Sequence, residues 1–171
     1  MAKRLNLDFG DLETWINNVS SGIAEKTAED VVRQLKIRGP YWTGEFEGAW
    51  DVTLGEDIPA SEQRRDTRSL DEILAAGPAP RQITPLKAGV DFPSAPKTSE
   101  VTYTIGNRMA YRDIAQDLEA GRIKGGGRET ADQDWYTTYI QGGGLETTIA
   151  LSADRVSKDP KIKNYKGKIS K

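Results

Sequence analysis

The feature that most constrains this chain is a long amphipathic run ended by Gly39-Pro40. Leu12, Ile16, Val19, Ile23, Val31 and Leu35 recur on a three-to-four-residue spacing, with Thr27 filling the one gap. That spacing lays one apolar face along a helix of roughly seven turns. Asp8, with Asp11 three residues on, supplies a start signal. Gly39 can take a left-handed cap position and Pro40 cannot continue the hydrogen-bond ladder, so the helix stops there. A helix this long, with one apolar face, must be covered by something else in the chain.

Two strand-like runs offer that cover. Ala49 to Leu54 and Glu100 to Gly106 both alternate apolar with polar residues, Val101, Tyr103 and Ile105 sharing one face of the second. Met109 to Leu118 has helical spacing through Tyr111, Ile114, Ala115 and Leu118. Asp134 to Gln141, rich in aromatic and Thr residues, reads as extended. After Gly142-Gly143-Gly144 a last helix carries Leu145, Ile149, Ala153 and Val156 on one side, with Glu146 near its start, Arg155 and Lys158 near its end and Pro160 beyond. The expected fold is α+β: a long first helix on a small, mostly antiparallel sheet, closed by a C-terminal helix. A chain of 171 residues is most naturally one domain, here 1–158 with a basic tail at 159–171.

Residues 55–97 interrupt this plan. Six of the eight prolines fall here, around a capping box at Ser69-Leu70-Asp71-Glu72, the apolar pair Ile73 and Leu74, and a stop at Gly77-Pro78. The segment reads as a long surface insertion carrying one short helix.

Composition removes whole classes of chemistry. The chain has no Cys and no His, which excludes disulfides, thiolate zinc sites and Ser-His or Cys-His catalysis. No apolar run approaches the roughly 18 residues of a membrane span, and Met1-Ala2-Lys3-Arg4 is not followed by a signal-peptide core. The glycine triplets lack phosphate-loop grammar, and Gly125-Gly126-Gly127-Arg128 reads as a loop tip. The net charge of −2 conceals an asymmetry: Arg155 to Lys171 holds seven basic residues and one acidic, leaving 17 basic and 25 acidic elsewhere.

Two blocks carry a more specific signal. The first is Gly39-Pro40-Tyr41-Trp42-Thr43-Gly44-Glu45-Phe46-Glu47-Gly48-Ala49-Trp50; the second runs from Thr102 through Asn107 and Tyr111 to Glu119 and Gly121. In order and spacing they resemble the tail-completion (neck) family of long-tailed bacteriophages. Pro40, Thr43, Gly44, Phe46 and Trp50 fall on the first block of that family's pattern, and Asn107, Tyr111, Glu119 and Gly121 on the second. Arg112 departs from it, standing where a small Ala is usual, and the spacer from Tyr111 to Glu119 is longer than the pattern has.

The resemblance implies a structural virion protein of the head–tail junction, made in the host cytoplasm, without enzymatic activity, cofactor, metal or membrane partner. It would act in a closed ring of about six copies, bound to other neck and tail proteins, around a channel through which genomic DNA passes non-specifically. A tail terminator or a head-side connector of the same neck is the nearest alternative. Candidate interface residues are Tyr41 and Trp42 in the turn, Arg64, Arg65 and Arg68 in the insertion, and Lys161, Lys163, Lys166 and Lys168 in the tail. Two other classes stay open: a DNA-binding module using that tail, with Tyr165 to stack on a base, and a metal-dependent hydrolase using Glu45, Glu47, Asp51, Glu56 or Asp57. A solvated tail and a solvated acidic edge are the plain readings of the same residues. Trp15 and Trp50, on periodic faces, are expected in the core.

Overall fold

The computed structural model describes residues 9–41, 43–61, 67–77, 92–94, 96, 100–110, 112, 115, 131–132 and 134–160. Their elements run α1 (Phe9–Arg38), α2 (Glu45–Gly48), β1 (Trp50–Leu54), α3 (Leu70–Ala76), β2 (Tyr103–Asn107), α4 (Trp135–Gln141) and α5 (Gly144–Ser157). The fold is α+β, as the periodicities imply. β1 and β2 form a two-stranded antiparallel sheet in which Trp50 lies opposite Asn107 and Leu54 opposite Tyr103. The Arg108 N–H donates to the Ala49 carbonyl at 2.9 Å, which fixes the phase of the ladder. Gly106 and Thr104 therefore turn their N–H and C=O toward β1, while Tyr103 and Ile105 turn theirs away from it.

The core lies where α1 meets this sheet and α4. Val31, Val32 and Leu35 of α1 are buried with Phe46, Trp50, Val52, Met109, Trp135 and Tyr139. Phe46 meets both Trp50 and Trp135 edge-to-face, at 5.7 and 6.3 Å between ring centroids, a geometry that adds to area burial. Trp50 is in the core as expected. Trp15 is not: it is half-buried and outside the core cluster, and Leu12 and Ile16 are 39% and 43% exposed. The cause is the length of α5, whose last turn reaches only the level of Gly22, with Val156 Cγ1 3.8 Å from a Cβ placed there.

Three expectations are corrected. The run expected to be extended is the helix Trp135–Gln141, with Asp134 at its N-cap. Trp135 and Tyr139, four apart, are both buried, and the Thr138 hydroxyl donates to Asp134 Oδ2 at 2.9 Å across the first turn; burial on a 3.6-residue period overrides the strand preference of these residue types. Gly39 is not left-handed, as its φ is not among the positive ones. Its missing side chain matters for another reason: a Cβ would lie 2.8 Å from the Leu35 carbonyl oxygen and 3.1 Å from the Trp135 ring. Finally, of the expected apolar side of α5, Leu145 packs on the core, Ala153 is half-buried and Val156 meets α1 at Gly22, but Ile149 is 43% exposed. The buried positions on α5 are Thr148 and Ser152.

The insertion is tied down at both ends. Ile58 is buried, and the Arg112 guanidinium donates to its carbonyl at 2.7 Å. Phe92 packs on the core, while the carbonyls of Pro93 and Pro96 accept from the Tyr103 and Ser21 hydroxyls at 2.9 and 2.7 Å. Between these anchors α3 has the expected capping box: Glu72 accepts from the Ser69 N–H at 2.7 Å and the Glu72 N–H donates to Ser69 Oγ at 3.3 Å.

Candidate interface beside the second strand

The two blocks of the resemblance meet at one residue. Asn107, fully buried at the end of β2, donates from Nδ2 to the Phe46 carbonyl at 2.7 Å and accepts from the Met109 N–H at 3.0 Å. Gly44, at φ 85°, opens the one-turn helix that presents Phe46, and Tyr41 lies against it, Cε2 3.4 Å from where a Cβ would stand. Pro40, Gly44, Phe46, Trp50 and Asn107 thus form one structural unit joining α1 to the sheet. Arg112, the departure from the pattern, binds the Asn107 carbonyl at 3.2 Å as well as Ile58, so its length is used to pin the insertion. Of the other candidates, Thr43 is half-buried and Arg68 is exposed beside α3. Trp42, Arg64, Arg65, Tyr111, Glu119, Gly121, Lys161, Lys163, Lys166 and Lys168 lie outside the described residues.

A second feature was not legible as a site. An apolar groove of about 610 Å³ runs along α1 from Ser20 to Leu35, walled on one side by Val101, Tyr103 and Ile105 and on the other by Tyr136, Ile140, Leu145 and Ile149. Thr27 stands in its floor, and its buried hydroxyl has no hydrogen-bond partner among the described residues. Burial pushes the phenol pKa values of Tyr103 and Tyr136 up. At Tyr103 the carboxylates of Glu25 and Glu29 act in the same direction, which places negative charge at the rim. Two of the four residues of the second wall come from α4, whose strand-like composition hid the period that brings Tyr136 and Ile140 together.

The far side of α1 is polar and closed. Asp30, 3% exposed, accepts from the Ser152 hydroxyl at 2.9 Å and from the Arg155 guanidinium at 3.1 Å, with Lys26 and Arg33 at 3.5 and 3.8 Å from its other oxygen. The Tyr139 hydroxyl donates to Thr148 Oγ1 at 3.1 Å, extending this network to α4. Ser152 and Arg155 tie α5 to α1 here, while Lys26 and Arg33 pair with Asp30 within α1.

Among the described residues no three acidic side chains converge to hold a metal ion, and no helix is long and apolar enough to cross a membrane. The arrangement offers apolar surface, a strand edge and charge, which are means of binding. Compared with family models, curated proteins and solved structures, the chain finds no match.

Proposed function

We propose that this chain is a structural subunit of the head–tail junction of a long-tailed phage, acting in a ring that completes the tail and joins it to the neck. The observation that carries the reading is the Asn107–Phe46 hydrogen bond. The resemblance pairs two sequence blocks, and in the fold those blocks close on each other through a buried side chain whose nitrogen and oxygen are both hydrogen-bonded. Residues shared for that reason specify a fold unit, and a fold unit is what a ring subunit reuses. Mechanistically the work is association: copies related by rotation bury complementary surfaces until the ring closes. The acidic body leaves a lumen that repels the DNA backbone. A tail terminator or head-side connector would use the same contacts at a different level of the neck.

The test is an electron-microscopic reconstruction of virions or purified tails. Density for this chain as a closed ring at the junction is the expected result. Its absence from the junction, or a single asymmetric copy, overturns the reading.

A further inference from the structure

The two edges of the sheet are unequal. On β1 the outward N–H of Val52 is taken by the Asp51 carboxylate at 2.9 Å, and that charge blocks pairing with another strand. On β2 the Arg112 guanidinium takes the outward C=O of Asn107 at the strand's end, at 3.2 Å, but the outward N–H and C=O of Ile105 at its centre have no partner among the described residues. The groove lies on this open side, because β2 lines it and β1 contributes nothing. A two-stranded sheet whose second strand is open at its centre, beside an apolar trough, is the arrangement that strand addition completes.

The chain itself contains a segment of matching chemistry. In extended form, Tyr165, Gly167 and Ile169 fall on one face and Lys166 and Lys168 on the other, with Lys163 and Lys171 flanking. That gives an amphipathic strand of the length of β2, basic where Glu25 stands near Tyr103 beside Glu29, the latter ion-paired to Lys26 at 2.9 Å. The floor from Ser20 to Leu35 is roughly 22 Å long, and about seven extended residues span it.

We infer that residues 161–171 of one copy add as a strand to the β2 edge of a second copy, seating Tyr165 and Ile169 in its groove. The choice of a second copy follows from direction. α5 runs antiparallel to α1, from Ser152 opposite Asp30 to Val156 beside Gly22. The chain therefore leaves α5 heading past the Ser20 end of its own groove and away from it. Return to that groove requires a complete reversal, whereas a copy placed head-to-tail receives the segment directly. Repeated around a ring, each copy gives one strand and accepts one. The inference rests on the ring reading for this arrangement, but strand docking is measurable in purified protein, so its failure and a failure to find the protein at the neck are separate results.

The experiment uses the full chain with p-benzoylphenylalanine replacing Tyr165, prepared in light and heavy nitrogen, mixed in equal amounts, concentrated and irradiated. Crosslinks to peptides containing Ile105 or Ile149, of mixed isotope composition, are expected. Amide exchange at Ile105 should also slow by about tenfold or more in concentrated relative to dilute wild-type protein. Ile169→Asp should abolish both signals with an unchanged melting temperature, and added salt should weaken them. Crosslinks confined to one isotope would place the segment in its own groove and overturn the exchange. Crosslinks elsewhere, none at all, or an Ile105 amide indifferent to concentration would overturn strand addition itself.

Discussion

The side-chain amide of Asn107 reaches the main-chain carbonyl of Phe46, 61 residues earlier, at 2.7 Å in a fully buried setting. The same side chain accepts the Met109 N–H, so one residue satisfies a donor and an acceptor that no water reaches. Such a residue is held by hydrogen bonding more than by shape. Asn107→Leu should therefore destabilise the protein by about 1–3 kcal/mol for each of the two groups left unpaired. Asn107→Asp keeps the acceptor but sets a carboxylate against the Phe46 carbonyl. Its folded-state pKa should rise above the usual value near 4. Relative to wild type, that variant should lose stability as pH rises through the raised value and regain it in acid. Urea melts at two pH values check both; an Asn107→Asp penalty independent of pH would contradict the assigned contacts.

Trp50 tests the sheet. It is 2% exposed and stacks edge-to-face on Phe46, and its indole N–H has no partner among the described residues. Its contribution is then apolar. Trp50→Ala should cost about 3–5 kcal/mol, while Trp50→Phe, which gives up volume but no hydrogen bond, should cost distinctly less. Thermal unfolding in which Phe is as damaging as Ala would mean that the indole N–H is engaged after all.

The α1–α5 contact should divide its energy unevenly. Asp30 is buried and answers to Ser152 and Arg155, whereas the Arg155 side chain is 51% exposed. Removing the carboxylate takes away the one acceptor that Ser152 and Arg155 share and leaves the Ser152 hydroxyl only the Thr148 carbonyl of its own helix, at 2.8 Å. Removing the guanidinium leaves Asp30 with Ser152 and Lys26. Asp30→Ala should cost about 1–3 kcal/mol and Arg155→Ala about 0–1 kcal/mol. Equal effects in denaturant titration would put the energy in the ion pair and not in the hydroxyl contact.

Tyr103, Tyr136 and Tyr139 should ionise above the ordinary phenol value of 10.0, in each case chiefly because burial disfavours the phenolate. The sign follows directly. A folded-state pKa above the unfolded one contributes stability that is fully present below pH about 10 and is lost as pH rises through the raised value. An ultraviolet titration of the folded protein should show a fraction of its tyrosines titrating later than the urea-unfolded chain does. A single transition at the unfolded value would mean that these rings are more hydrated than the structure has them.

Much of this fold can be read from residue order, and the misses share a cause. The periodic apolar face of α1, the alternation in both strands and the Ser69–Glu72 box are local signals that local structure obeys. Residues 134–141 fail because Trp135 and Tyr139 take their conformation from Phe46 and Ala115, distant in sequence, and from Thr148 in the next helix. The docking of α5 fails likewise. Thr148 and Ser152 look like a polar face until Asp30 is known to stand opposite. The groove was out of reach altogether, since a trough is defined by what does not touch across it. Its wall residues are individually ordinary core-type side chains.

The insertion allows folding and the proposed assembly to be tested apart. Its anchors are Ile58 on one flank and Phe92, Pro93 and Pro96 on the other, bound to Arg112, the core, Tyr103 and Ser21. Between them, α3 caps itself through Ser69 and Glu72, and residues 67–69, 71–72 and 75–76 are exposed. Deleting Glu62–Pro85 keeps both anchors and removes α3, so the remaining chain should fold with a cooperative melt close to wild type. If the segment reaches a neighbouring subunit or ring, as its proline-rich, capped design suggests, the same deletion should abolish head–tail joining in a complementation assay. A variant that no longer melts cooperatively would assign the insertion to the core. One that folds and still supports joining would remove its role in assembly.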